Sequence, residues 1–266
     1  MLVLTLGSCS SENLVSKGDY YFKKGIYLKA LSAYKRYLKK AQTRTERSQA
    51  HVYIARCLTK LGEKERSRES YEKAARTIMF GKWARIARQE ITDIADFFPL
   101  TTGTVYEEGD STTKGRNMYA VANVENHGNT YLIRRKLYAG KRSKKVVRET
   151  RSFYAKKPGL VLESEGSPNS KNPTLILSYP LEAGAAWRSS RGKRKAIYRV
   201  SKDNMTVKVT AGEFSGCVEI SERMIGSTSK TQIFDIYCPG VGRIKRSVGD
   251  DKRQTPITEL LSVTSN

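Results

Sequence analysis

Between Gly18 and Ala41 the chain places Gly18, Tyr21, Gly25, Tyr27, Ala30, Tyr34 and Leu38 at spacings that fit two short helices packed face to face. Gly18 and Ala30 lack bulk where two helix backbones approach closely, and Tyr21 and Tyr34 fill the space around them. Gly25 breaks the run. The same offsets return in Ala55, Leu58, Gly62, Ser67, Tyr71 and Ala74. One such pair cannot bury its own apolar face, so the repetition dictates a stack of helical hairpins. The expected helices are Leu14 to Lys24, Tyr27 to Lys40, Ser48 to Leu61 and Lys64 to Met79. A fifth run, Lys82 to Phe97, sets Trp83, Ile86, Ala87, Ile91, Ile94 and Ala95 on one side, as a capping helix does, and Pro99 stops it.

From Pro99 to Gly115 the helical period disappears, and TTGT and EEGDSTTKG supply turn residues. Beyond this point ten runs, from Met118–Val124 to Gly242–Arg246, read as strands. Turn signals such as Asn126–Asn129 and Gly140–Ser143 join them, so His127 is a turn residue first. Short connections imply antiparallel pairing, because parallel strands need long crossovers. The expected fold is α+β, with a signal and tether over residues 1–13, a helical domain over 14–98, a linker over 99–115 and a mostly antiparallel β-domain over 116–266.

The chain has 266 residues, enough for two cores, and a formal net charge of +23. That charge predicts attraction to polyanions: nucleic acid, anionic lipid headgroups, lipopolysaccharide or acidic glycans. No apolar run reaches the length of a membrane-spanning helix. Leu6-Gly7-Ser8-Cys9, after a short apolar run, resembles the lipobox of bacterial lipoproteins. The resemblance implies lipidation at Cys9 and an envelope location, and Ser10 in place of an Asp directly after Cys9 favours the outer membrane under enterobacterial sorting.

The Gly18–Ala41 pattern and its second copy resemble tetratricopeptide repeats. The resemblance implies a mostly cationic concave face lined by Asp19, Phe22, Lys23, Val52, Arg56, Thr59 and Lys60, which is either a groove for a protein partner, such as an acidic peptide or a C-terminal carboxylate, or a solvated basic surface. Further on, the segments Tyr179–Trp187, Val209–Cys217 and Tyr237–Lys245 are similar in order and content to a poorly characterised β-domain of bacterial envelope proteins. That family resembles the half-barrel sheets of lipoprotein carriers, which implies a concave apolar face able to cradle an acyl chain. Read from the residues alone, Trp187, Phe214 and Tyr237 are core.

A hairpin centred on Gly226–Ser229 pairs residues whose numbers sum to 455, which sets Cys217 opposite Cys238, either as a disulfide or as two buried thiols. Cys57 falls on a helix. Arg134, Arg135, Lys136, Lys141, Arg142, Lys144 and Lys145 form a cationic hairpin that either binds polyanions or protects a sheet edge, and Arg188, Arg191, Lys193, Arg194 and Lys195 form a second cluster. With two histidines, no nucleophile–base motif and no phosphate loop, neither an enzyme nor a metal or cofactor site is expected. The leading expectation is a lipid-anchored envelope scaffold that binds protein through its repeats. A lipid or lipoprotein carrier comes second and a binder of nucleic acid or acidic glycan third.

Overall fold

The computed structural model describes residues 9–265 except 79, 80, 193 and 230. Met79, Lys193 and the lipobox residues Leu6, Gly7 and Ser8 therefore lie outside the described residues. The chain divides into two compact units, Met1–Ala95 and Asp96–Asn266.

The first unit contains α1 (Cys9–Lys23), α2 (Tyr27–Lys40), α3 (Arg44–Lys60), α4 (Lys64–Thr77) and α5 (Lys82–Ile94). Gly25 and Gly62 turn the two hairpins at φ of 74° and 80°, a left-handed conformation that glycine adopts without steric cost. Thr43 starts α3 with a capping box: its hydroxyl accepts from the Glu46 amide at 3.1 Å, and the Glu46 carboxylate accepts from the Thr43 amide at 3.0 Å. A Cβ on Gly18 would sit 2.3 Å from the Tyr34 ring, so the small residue is required by the ring that packs on it. Ala30, Leu31, Tyr34, Ile54, Cys57 and Leu58 make the core. Ser48 and Ser67 are buried within it because their hydroxyls donate to the carbonyls of Ala74 and Ala55, at 2.9 and 2.8 Å.

The second unit is a single 12-stranded antiparallel sheet. Its strands are β1 (Val105–Asp110), β2 (Tyr119–His127), β3 (Thr130–Tyr138), β4 (Val146–Lys157), β5 (Leu160–Glu165), β6 (Thr174–Ser178), β7 (Ala186–Arg191), β8 (Arg194–Val209), β9 (Gly212–Met224), β10 (Gln232–Cys238), β11 (Gly242–Gly249) and β12 (Gln254–Thr264). The spatial order runs β6 back to β1, then β12 back to β7, so every hydrogen-bonded pair is sequential except β1 with β12. The two edge strands meet. The Leu175 amide donates to Ser189 Oγ at 2.7 Å, Thr174 Oγ1 donates to the Ser190 carbonyl at 2.9 Å, and Trp187 Nε1 donates to the Leu175 carbonyl at 3.1 Å. The sheet is thus a nearly closed barrel, its last seam joined by side chains instead of a ladder, and it leaves no long edge open to another chain. This corrects the half-barrel expectation.

Three strands escaped the sequence reading. Strand β1 lies in the segment expected to be a linker, and β7 and β12 were not anticipated, while the separate runs at Ala196–Val200 and Thr206–Val209 are one long β8. Strands β9 and β10 pair with the sum 455, for example Ile233 with Glu222, and Cys217 is bonded to Cys238 with a Cα separation of 4.2 Å. Both cysteines sit in a buried cluster with Val209, Ile236, Ile244 and Leu260. Replacing both with alanine should lower the unfolding free energy by about 2–4 kcal/mol, because the bond limits the unfolded chain, and urea denaturation with and without reductant reads this directly.

Candidate functional site

The helical unit carries a concavity of about 400 Å³ lined by Phe22 of α1, Arg56, Thr59 and Lys60 of α3, Tyr71 of α4, and Glu90 and Ile94 of α5. Positions 56, 59 and 60 share a face because residues three and four apart stack on a helix. Four of the seven residues expected on the concave face are therefore brought together. The other three are placed differently: Asp19 accepts a hydrogen bond from the Tyr34 hydroxyl at 2.6 Å, Lys23 is exposed at the end of α1, and Val52 is fully buried in the core.

The groove is less cationic than expected. Arg56 Nε lies 3.1 Å from both Glu90 carboxylate oxygens, Arg56 Nη2 bonds one of them, and the Tyr71 hydroxyl donates to the other. Hydrogen bonding to Glu90 holds the Arg56 guanidinium more firmly charged than usual, and burial followed by Glu90 keeps Tyr71 protonated. Thr59 Oγ1 donates to the Ala55 carbonyl at 3.0 Å. Lys60 is exposed and, among the described residues, in no ion pair, so it is the groove's available cation, beside apolar walls from Phe22 and Ile94. Glu90 was missed, although a signal existed: it falls three residues after Ala87 and four before Ile94, on the apolar stripe of α5.

The barrel interior is a second site and it is charged. Inward residues alternate along each strand, so Tyr106 and Glu108 of β1, Ile133 and Arg135 of β3, and Asp235 and Tyr237 of β10 line one cavity of about 140 Å³. Glu108 is held from both sides: Arg135 Nη2 lies 3.0 Å from its Oε2, and Arg243 Nη2 of β11 lies 3.0 Å from its Oε1. Arg246 clasps Asp235 through two bonds of 2.7 and 2.6 Å, and the Tyr154 hydroxyl donates to Glu163 at 2.6 Å. Burial opposes ionisation of Glu108, but the charges of Arg243 and Arg135 and their hydrogen bonds outweigh it and bring the carboxyl down to about 2. Burial, then the neighbouring Glu163 carboxylate, keeps Tyr154 protonated well above the ordinary phenol range.

Apolar side chains share these walls: Phe98, Ala122, Ile133, Ile176, Ile220 and Val241 line the same cavity as the charged groups. The cationic hairpin also divides. Arg135 faces inward onto Glu108, Arg134 pairs with Glu125 at 3.2 Å, and Lys141 lies 3.5 Å from Glu107. Lys136 stays on the outer side of β3, and Arg142, Lys144 and Lys145 are exposed in the turn before β4. Cys9 is the first residue of α1.

No protein-family model matches the chain, and no curated protein matches it. Among solved structures, the chain is similar to a candidate exported protein with a YmcC-like fold from Bacteroides fragilis, at 16% identity and a TM-score of 0.42, over 64% of this chain and 100% of that one. It is also similar to a candidate lipoprotein from Parabacteroides distasonis, at 15% identity and a TM-score of 0.37, over 63% of this chain and 98% of that one.

The Glu108 arrangement fixes an acid response. A carboxyl whose pKa drops from 4.5 unfolded to about 2 folded contributes stability that is complete above about pH 4.5 and lost as pH falls to about 2, on the order of 3 kcal/mol. Glu108→Gln should remove that part of the slope and lower stability at pH 7 by about 3 kcal/mol, since the half-buried Arg135 and Arg243 lose their shared partner. Urea titrations between about pH 2 and 7 test both. A residual slope should remain from Asp110, where burial is outweighed by hydrogen bonds from Thr113, Met118 and Asn117 that bring it to about 2.

Proposed function

We propose that this chain is a non-enzymatic lipoprotein of the bacterial envelope, anchored through Cys9 at the outer membrane, whose helical unit is a short tetratricopeptide-like module that docks a segment of a partner protein. The observation that carries the reading is the groove itself: Phe22, Thr59, Lys60, Tyr71 and Ile94, drawn from four helices, converge on one concavity of about 400 Å³. An extended peptide with one apolar side chain and one carboxylate fits this chemistry. The apolar group rests on Phe22 and Ile94, and the carboxylate meets Lys60. The Arg56–Glu90 pair, tied to Tyr71, fixes α3, α4 and α5 against one another and keeps the groove's floor in place.

Peptides ending in an apolar residue followed by a free carboxylate should bind the purified chain and weaken with salt. Lys60→Glu should cost about tenfold or more in affinity and Phe22→Ala a similar amount, whereas Lys39→Glu, on the exposed side of α2, should change little. Calorimetric titration of a peptide library reads this. Binding that ignores both groove substitutions would defeat the proposal.

A further inference from the structure

The up-and-down order of the barrel has a consequence for charge. In a meander, alternate turns lie at the same end, so the β1–β2, β3–β4, β5–β6, β7–β8, β9–β10 and β11–β12 turns share one end. The described residues of those turns hold nine lysines and arginines against two acids, Asp250 and Asp251. The turns at the other end, residues 128–129, 158–159, 179–185, 210–211 and 239–241, hold no lysine or arginine and one acid, Glu182.

Most of the rim's cations are available. Lys114 is tied to Glu259 at 2.7 Å and Lys141 to Glu107. Arg116, Arg142, Lys144, Lys145, Lys171 and Arg253 are exposed and, among the described residues, in no ion pair. The rim is also built. The Lys141 amide donates to the Gly115 carbonyl at 2.9 Å, and a Cβ on Gly140 would lie 1.9 Å from the Arg116 carbonyl oxygen, so the two richest loops are locked together.

The same end carries exposed aliphatic side chains. Val147 is 61% exposed, Ile225 46% and Val146 40%, and all three sit in or beside these turns. Ile257 is exposed as well, and its carbonyl accepts from the Ser111 amide of the β1–β2 turn. The large exposed apolar groups described in this unit are all valine or isoleucine. A nucleic-acid surface uses aromatic rings to stack on bases, whereas an interfacial lipid surface combines aliphatic side chains that enter the headgroup layer with lysines and arginines that reach the phosphates.

We propose that the β1–β2/β3–β4 end of the barrel is a docking face for an anionic phospholipid bilayer, with Val146 and Val147 entering the interface and Arg142, Lys144 and Lys145 meeting lipid phosphates. This site is separate from the peptide groove and does not depend on it.

The test uses the full 266-residue chain with Cys9→Ser, so that no covalent lipid contributes. Sedimentation with vesicles of phosphatidylcholine containing about 30% phosphatidylglycerol should show binding that pure phosphatidylcholine does not, since each basic residue near such a surface adds about fivefold. Arg142→Glu with Lys144→Glu and Lys145→Glu should weaken it at least about tenfold, and the matched reversal of Lys35, Arg36 and Lys39 on α2 should leave it within about twofold. Val146→Ser with Val147→Ser should weaken vesicle binding about tenfold while leaving heparin binding unchanged. Val147→Cys supplies a single exposed thiol, because Cys57 is buried and Cys217 is bonded to Cys238; a polarity-sensitive dye there should shift to the blue on anionic vesicles. No preference for the anionic vesicles, equal losses from the α2 control, or valine substitutions without effect would each overturn the proposal, the last in favour of a plain polyanion surface.

Discussion

The carboxylate of Glu108, held between Arg135 and Arg243, is the interaction on which the barrel depends. It joins β1, β3 and β11 across the interior, and Arg246 on Asp235 joins β10 to β11 beside it. Charged side chains stand among apolar ones on the inner wall of the barrel. Each charge would be costly alone. Paired and hydrogen-bonded they are tolerated, and loss of one partner leaves a charge uncompensated.

Closure of the sheet follows the same economy of groups. Strands β6 and β7 do not form a ladder, yet Thr174, Ser189 and Trp187 meet the exposed backbone groups between them. Trp187 stacks on Tyr198 with centroids 5.6 Å apart, which fixes the ring whose Nε1 spans the seam. The tryptophan of the Tyr179–Trp187 motif, expected in the core, is half-buried and serves as a latch across the seam. The cavity lining holds four acids, Glu108, Glu163, Glu222 and Asp235, against three arginines, so the formal charge of +23 comes from residues elsewhere, and the meander gathers the turn-borne share at one end of the barrel.

Local features were legible in the sequence. Helices α1 to α4 follow from Gly25, Gly62 and the aromatic spacing, and the β9–β10 register follows from one turn. What escaped was non-local. Strand β1 reads as a turn-rich linker because its Glu107-Glu108-Gly109-Asp110 run is polar, and the partners that let Glu108 face inward lie at Arg135 and Arg243, far along the chain. Arg135 was grouped with Arg134 and Lys136 as one cationic run, although strand alternation alone sets it on the opposite face. Likewise Arg56 reads as partner-binding because its carboxylate, Glu90, lies on another helix, 34 residues along the chain. The closed seam had no sequence signal beyond Trp187, since it rests on side chains meeting across strands that are not hydrogen-bonded neighbours.

The most direct test of the interior ion network is side-chain nitrogen NMR of the arginines. Arg135 and Arg243 should show separate, slowly exchanging Nε–Hε resonances at neutral pH, and both should change together in Glu108→Gln, which leaves the Arg246–Asp235 pair in place. Resonances that exchange as fast as those of the exposed arginines, or that ignore the Glu108 substitution, would contradict a barrel organised around this carboxylate.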